Sequence, residues 1–285
     1  MSQLPIISWL AGMVTELQIL LLLFCLALNA YLFVTCRLKN HEAWLDVFFK
    51  MLGSNYFSLF IVHRINVEVV FSLNNPDYPL EIGYWINWSL GMTMFLFFLG
   101  AYITRSNPIA RANRLREIIY PLYSGSLPML IFESFSFNRF EFVTSSEALV
   151  TLFRPFTDID PGHWSGLSIA LIIFGHSISV WALFYLRRSF GILTEVRNLV
   201  RGGPYRYVRH PLYVGENFSA IGFCLLFPSW FNIAVTIVFL LSQRLRAHFE
   251  EQKFLQAIPD YKDYMDQAGA YLPRLNKKHH AEYDL

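Results

Sequence analysis

Two clusters of polar residues stand out in a chain that is 54% hydrophobic and only 15% charged. Residues 202–216 concentrate arginine, histidine, tyrosine and glutamate, and residues 244–251 hold further arginines and glutamates. In the second cluster, Arg246 and Glu250 are four residues apart, so on a helix they share one face. An arginine that holds a carboxylate, beside a glutamate that takes an ammonium, would bind a zwitterion such as an amino-acid headgroup. The alternative is a surface ion pair worth about 0.3–0.5 kcal/mol.

The elements that must position these clusters are apolar segments, most of them near the length of about 20 residues that crosses a bilayer. The sequence therefore predicts an all-α fold, a polytopic helical membrane protein with about seven membrane helices. The predicted spans are 15–36, 44–72, 84–104, 118–135, 166–187, 212–227 and 229–245. The last two are short and indicate a tight helical hairpin. The second contains charged residues, so it either crosses the bilayer or lies in the interface.

Lysine and arginine are distributed unevenly between the predicted loops. The segments 37–50, 105–117, 187–211 and 244–285 hold 20 of the 23 basic residues. By the positive-inside rule, this asymmetry places those segments, both polar clusters and the C-terminus in the cytoplasm. We therefore expect a multi-pass integral membrane protein of a bacterial inner membrane or the endoplasmic reticulum, with 15–36 retained as an anchor. The same topology explains the basic loops without nucleic acid as a partner.

Polar content divides the chain into an N-terminal membrane-spanning region, 1–165, and a C-terminal core, 166–285, that holds both clusters. The three cysteines lie in or at the ends of apolar segments, without the Cys or His spacing of a metal site. We expect them to be small buried apolar residues, and we expect no metal.

The second half of the chain carries an ordered set of short motifs. They are Gly203-Pro204-Tyr205, then Arg209-His210-Pro211-x-Tyr213-x-Gly215, then Glu250-Glu251-x-x-x-Leu255 and Tyr261-x-x-Tyr264. Together they resemble the isoprenylcysteine carboxyl methyltransferase and phospholipid methyltransferase superfamily of membrane enzymes, over roughly residues 166–275. The first 150 residues carry no motif of that family.

The resemblance implies an enzyme that uses S-adenosylmethionine, bound in a cytoplasmic pocket of the C-terminal helices rather than in a Rossmann domain. The cofactor-binding residues it implies are Gly203, Tyr205, Arg209, His210, Pro211, Tyr213, Glu250 and Glu251. Glu250 would hold the methionine ammonium, and Arg246 would orient the donor's carboxylate or an anionic acceptor. Arg246 and Glu250 are therefore the predicted catalytic residues.

The motifs match donor-binding residues and leave the lipophilic or small-molecule methyl acceptor open. Candidates are an isoprenylcysteine carboxylate, an ethanolamine phospholipid of the membrane, a small thiol or another hydrophobic acid. An amine would have to lose a proton, which Glu216, Glu251 or Tyr264 would accept. Glu216 and Tyr264 are predicted substrate-binding residues, together with Arg64 and Glu68. Arg64 and Glu68 are charges within a predicted span, where function is the default interpretation and a paired structural cluster is the alternative.

Two other functions fit the sequence. A sterol-reductase-like enzyme would share the multi-span layout and a C-terminal cofactor pocket, but it would bind NADPH. A non-catalytic transporter or scaffold would bind no cofactor, and replacing Arg246 or Glu250 by alanine would then change only stability.

Overall fold

The computed structural model describes residues 5–40, 42–65, 82–137, 146–154, 161–226 and 228–274. Helices and two isolated backbone bridges make up the regular structure of these ranges, so the predicted all-α class is confirmed for them. The helices are α1 (Pro5–Leu32, continued by a π-helical segment over Phe33–Lys39), α2 (Trp44–Ile65), α3 (Ile82–Thr104), α4 (Leu115–Phe137), α5 (Glu147–Phe153), α6 (Pro161–Leu186), α7 (Pro211–Leu226), α8 (Trp230–Ala257) and α9 (Tyr261–Gln267).

Three described helical segments are long and apolar enough to cross a membrane: Ile19–Lys39, Trp44–Ile65 and Gly166–Ser189. A shorter apolar helix covers Trp88–Thr104. Many of the apolar side chains on these segments are exposed in the isolated protein, such as Leu20 at 61% and Phe174 at 52%. Side chains of this kind avoid water and are stable against lipid, which fits a membrane protein.

The other predicted spans coincide with helices that are shorter or more polar. Residues 118–135, 212–227 and 229–245 correspond to α4, α7 and the first part of α8. Seven crossings therefore remain a prediction. The described part of α2 ends at Ile65, and the rest of the predicted span 44–72 lies outside the described residues.

The chain forms two compact units, Met1–Asn107 and Pro108–Leu285. The second unit begins before the division at residues 165 and 166 that polar content suggested, because α4 and α5 pack against α8. The predicted division at residues 165 and 166 was based on composition, and it stays a prediction.

In the first unit, the charge of Lys50 is buried and paired. Its ammonium donates to both carboxylate oxygens of Glu42, at 3.0 and 2.8 Å, and lies 3.6 Å from the Cys36 sulfur. Pairing of this kind offsets the cost of a buried charge. Gly53 allows α2 and α3 to pack closely, because an added Cβ would lie 2.2 Å from the ring of Tyr102.

In the second unit, α6 and α7 pack through small residues. Gly175 and Ser179 on α6 face Gly215 and Ser219 on α7, so each helix carries a small residue four positions from another. An added Cβ at Gly215 would lie 2.4 Å from the Ser179 hydroxyl and 2.5 Å from the Gly175 carbonyl oxygen. Small residues at this spacing let the backbones of membrane helices approach closely. This contact fixes the start of α7 against α6.

Helix α8 is held to α4 at two levels. An apolar core connects α4, α6, α7 and α8, and its buried members are Leu127, Ile131, Ile172, Ala220, Phe223 and Phe239. In the second half of α8, Lys253 donates to Glu117 Oε2 at 2.5 Å, and both side chains are about nine-tenths buried. The same oxygen accepts from the backbone N–H of Asn113 at 2.9 Å. These contacts fix the part of α8 that carries the second polar cluster.

Candidate functional site

A tight turn leads into α7 and depends on one glycine. Gly203 has a φ of 58°, which glycine adopts without the steric cost that other residues incur. Its Cα also lies against Tyr185, whose ring an added Cβ would meet at 2.5 Å. Tyr205, in the short 3-10 turn that follows, is buried. Pro211 then opens α7, a position where its missing N–H and fixed φ are favourable.

The segment just before α7 runs beside the segment that follows α9. A parallel bridge joins Val208 to Gly269, and Arg209 N–H donates to the Gly269 carbonyl at 2.8 Å. His210 N–H donates to the Ala270 carbonyl at 3.1 Å. These backbone contacts fix the two residues whose side chains reach α8.

Arg209 and His210 both contact one carboxylate oxygen of Glu251, and we call these three residues the Glu251 cluster. Glu251 Oε1 accepts from Arg209 Nε at 2.8 Å and lies 2.9 Å from His210 Nε2. Glu251 lies beyond residue 245, where the predicted span ends. Burial alone would raise its pKa, but the hydrogen bonds and charges of His210 and Arg209 outweigh burial and lower the pKa to about 2. Glu251 is therefore an ionised carboxylate committed to an ion pair.

Glu250 has different neighbours, which form the Glu250 cluster (Tyr213, Arg246 and Glu250). One oxygen, Oε1, accepts from the Tyr213 hydroxyl and from Arg246 Nε at 3.3 Å. The other oxygen, Oε2, accepts no hydrogen bond from a described residue, and His210 Nδ1 lies 4.0 Å away. The Glu250 side chain is 18% exposed, so this oxygen belongs to a group that solvent and ligands reach.

Arg246 is held by a strap of backbone, residues 190–197. Its Nη2 donates to the Ile192 carbonyl at 2.8 Å, while its Nη1 makes no hydrogen bond to a described residue. The guanidinium lies 5.1 Å from the centre of the Tyr213 ring, a cation–π contact. On its other side the strap is tied to α4, because Thr194 N–H donates to the Glu117 carbonyl at 3.1 Å.

A second polar layer lies one helical turn deeper between α7 and α8, and we call it the deep pair (Glu216 and Gln243). Glu216 follows Tyr213 by three residues, and Gln243 precedes Arg246 by three, so each lies on the same helix face as its neighbour. Gln243 Nε2 donates to Glu216 Oε2. Gln243 is only 1% exposed, and its Oε1 has no hydrogen-bond partner.

The structure brings most of the predicted site residues together at the junction of α7 and α8. The two clusters and the deep pair contain Arg209, His210, Tyr213, Glu216, Arg246, Glu250 and Glu251. Arg246, which contributes to the site, is buried, whereas the neighbouring Arg244 is exposed. Within the described ranges, no three His, Cys, Asp or Glu side chains are arranged to hold a metal ion.

Other predicted site residues have structural contacts or lie elsewhere. Tyr264 is buried and donates its hydroxyl to the Tyr205 carbonyl at 2.7 Å, which connects α9 to the turn before α7. Arg64 lies at the end of α2, in the first unit. Glu68 lies outside the described residues. The proposed substrate roles of these three residues therefore remain predictions.

The sequence reasoning missed two side chains of the site, Gln243 and Tyr271. Tyr271 donates its hydroxyl to the Gln243 carbonyl at 3.1 Å, and its ring lies 5.8 Å from that of His210. A glutamine in an apolar helix, three residues before a buried arginine, was an available signal for Gln243. No local pattern pointed to Tyr271.

Comparisons with known proteins show that the part of the chain holding this site is similar to a known family. The model of the phospholipid methyltransferase family matches residues 164–262. A search of the curated proteins finds no match. Among solved structures, the chain is similar to the eukaryotic intramembrane Ras methyltransferase, isoprenylcysteine carboxyl methyltransferase. That similarity has 16% identity and a TM-score of 0.41, and it covers 90% of this chain and 85% of that chain.

The family match covers the two ion clusters and the deep pair, and it supports a membrane methyltransferase as the general kind of protein. The match agrees with the resemblance seen in the sequence motifs: residues 164–262, which hold most of those motifs, are similar to the phospholipid methyltransferase family.

Proposed function

We propose that the protein transfers a methyl group from S-adenosylmethionine to a lipophilic or small acceptor at the cytoplasmic face of a membrane. The observation that carries this proposal is the Glu250 cluster, a buried arginine and a partly exposed glutamate that each retain one unused polar atom. The family match supplies the class of reaction.

The unused atoms fit the amino-acid end of S-adenosylmethionine, which carries an ammonium and a carboxylate. Glu250 Oε2 is available to accept from the ammonium, and Arg246 Nη1 is available to donate to the carboxylate. The remaining polar atoms of both side chains are held by Tyr213, by the Ile192 carbonyl and by each other. The two groups are therefore oriented before a ligand arrives, which reduces the entropy lost on binding.

Bound S-adenosylmethionine supplies a methyl group on a positively charged sulfur, which is already activated for transfer. What the protein must add is alignment of the acceptor with that methyl group. Arg209 and His210 do not carry the transfer. They hold Glu251, and through the bridge to Gly269 they fix the start of α7, on which Tyr213 stands.

The orientation in the membrane is part of the proposal. Seven crossings with a cytoplasmic C-terminus are supported by the concentration of lysine and arginine in alternate loops. In that topology a water-soluble donor enters from the cytoplasm, and a lipophilic acceptor reaches the same site between the apolar helices.

Calorimetric titration of S-adenosylmethionine into detergent-purified protein tests the proposal. We expect binding by the wild type and a loss of about 10- to 100-fold in affinity for Glu250→Gln, because hydrogen bonds to charged groups contribute about 1.5–3 kcal/mol. Asp266→Asn is the matched control, since Asp266 belongs to an exposed ion pair on α9. A folded wild type that binds NADPH but no S-adenosylmethionine, or neither, would refute the proposal.

A further inference from the structure

Helix α4 has a proline in its interior, and this proline leaves one backbone carbonyl without its helical partner. In a regular α-helix, the carbonyl of Glu117 accepts from the N–H of the residue four positions later. That residue is Pro121, which has no N–H and whose ring crowds the same carbonyl. Pro121 and Glu117 are both buried, so the carbonyl needs a donor from elsewhere in the protein.

The strap, residues 190–197, supplies that donor. Thr194 N–H donates to the Glu117 carbonyl at 3.1 Å, and Thr194 itself is buried. A second backbone contact lies two residues further along, where Val196 N–H donates to the Ala110 carbonyl at 2.9 Å. The strap is therefore docked on α4 and on the segment before it, and one of the two contacts uses a carbonyl that a proline makes available.

The strap also holds the arginine of the Glu250 cluster. Two residues before Thr194, the Ile192 carbonyl accepts from Arg246 Nη2 at 2.8 Å. The other terminal nitrogen of Arg246, Nη1, is the atom that the proposed function assigns to the carboxylate of the donor. Because the guanidinium is planar and rigid, the place where Nη2 is held determines the direction of Nη1.

We propose that Pro121 and Thr194 are positioning residues of the donor site. The proline releases a carbonyl of α4, the carbonyl docks the strap, and the strap orients Arg246 toward the carboxylate of the donor. This inference rests on the proposed function. A proline in a helix interior is normally destabilising, so the contribution of Pro121 should be found in donor binding rather than in stability.

Two proline substitutions in α4 form the first matched pair. Pro121→Ala gives the Glu117 carbonyl an N–H within the helix and removes the ring that crowds it, so the helix competes with Thr194 for this carbonyl. Pro128→Ala is the control, because it makes the same change in the same helix. The carbonyl that Pro128 vacates belongs to Ser124, whereas Thr194 donates to that of Glu117.

Two substitutions in the strap form the second pair. Thr194→Pro removes the N–H that donates to α4. The backbone suits proline there, because Glu195 N–H donates to the Leu193 carbonyl at 2.9 Å and closes a γ-turn at Thr194 with negative φ. Such a turn has a φ of about −75°, close to that of proline. Thr194→Ala keeps the N–H and is the control, since the Thr194 hydroxyl makes no hydrogen bond to a described residue.

The measurements are calorimetric titration with S-adenosylmethionine and with its decarboxylated analogue, and thermal melting of each variant in detergent. We expect Pro121→Ala and Thr194→Pro each to weaken S-adenosylmethionine binding about 3- to 10-fold, because the loss of one neutral hydrogen bond has an effect of this size. Both controls should bind within about twofold of wild type. The decarboxylated analogue lacks the group assigned to Arg246, so its affinity should not change in any variant.

The double variant separates positioning from stability. Thr194→Pro alone leaves the buried Glu117 carbonyl without a donor and should lower Tm. Adding Pro121→Ala gives that carbonyl an N–H within α4, so the double variant should recover Tm. Donor affinity should remain as low as in Thr194→Pro alone, because both changes remove the same contact between α4 and the strap. A purely structural role would instead make affinity recover together with Tm.

Three results would overturn the inference while leaving the proposed function intact: wild-type donor affinity in Pro121→Ala or in Thr194→Pro, an equal loss of affinity for the decarboxylated analogue, or recovery of donor affinity in the double variant. Failure of the folded wild type to bind S-adenosylmethionine would instead refute the proposed function.

Discussion

Replacing Gly215 by alanine tests the contact between α6 and α7 on which the site is built. The added Cβ would lie 2.5 Å from the Gly175 carbonyl oxygen, which belongs to the backbone and cannot swing aside. Ordinary contacts begin at 3.4 Å, so the helices would have to part by about 0.9 Å. Overpacking of this kind typically costs about 1–3 kcal/mol.

The same substitution has the opposite effect where a helix is open to its surroundings. Gly125, on an exposed face of α4, has nothing within 4 Å of an added Cβ. Alanine is favoured over glycine in a helix interior by roughly 0.5–1 kcal/mol, so Gly125→Ala should be neutral or stabilising. Gly215→Ala and Gly125→Ala thus add the same methyl group, one in a tight contact between helices and the other on an open helix face.

Thermal unfolding in detergent, followed by tryptophan fluorescence, measures the difference. We expect Gly215→Ala to lower Tm by an amount on the order of 5 °C, and Gly125→Ala to leave it unchanged or higher. Adding Gly175→Ala to Gly215→Ala should cost less than the two single changes together, because both crowd one contact. A Gly215→Ala protein that melts with or above Gly125→Ala would refute the assigned packing.

Three further predictions concern stability. The pKa of Glu251 falls from 4.5 to about 2 on folding, so its ion pair stabilises the fold at neutral pH, and this contribution is lost as the pH falls from about 4.5 to 2. In Glu251→Gln, the free energy of unfolding should therefore depend less on pH in that range. Gly203→Ala should destabilise by about 1–2 kcal/mol, from its left-handed backbone and the adjacent Tyr185 ring, measured by thermal melting. Glu117→Gln should cost about 3 kcal/mol, because Lys253 is left buried without its counter-ion, measured in the same melts.

Matched variants make these predictions refutable. Glu147→Gln, a change outside the site, should not alter the pH dependence of stability between about pH 4.5 and 2 as Glu251→Gln does. Gly100→Ala, with nothing within 4 Å of the added Cβ, should not destabilise as Gly203→Ala does. Asp266→Asn, which breaks an exposed ion pair, should be nearly neutral beside Glu117→Gln. Equal effects within any of these comparisons would contradict the contact assigned to it.

Sequence reasoning succeeded where the relation between residues is local. Arg246 and Glu250 were paired from their spacing alone, because the geometry of a helix places residues four apart on one face. The start of α7 was predicted from Pro211, because the fixed φ of proline suits the first position of a helix. The ordered motifs also indicated a resemblance to membrane methyltransferases, and the phospholipid methyltransferase model matches residues 164–262, which hold most of those motifs.

It failed where the relation depends on tertiary packing. Lys253 and Glu117 are 136 residues apart, and no local pattern indicates that they meet. The distinct states of Glu250 and Glu251 could not be read from two adjacent glutamates, because Arg209 and His210 reach only one of them closely.

The pairing of residues 208–210 with residues 268–270 has a consequence for biosynthesis. During translation, α7 is made well before residues 268–270, which pair with the segment that precedes it. Arg209 and His210 therefore acquire their backbone partners only when the ribosome has passed residue 270. The contacts that fix the start of α7 therefore form only after α7, α8 and α9 have all been made.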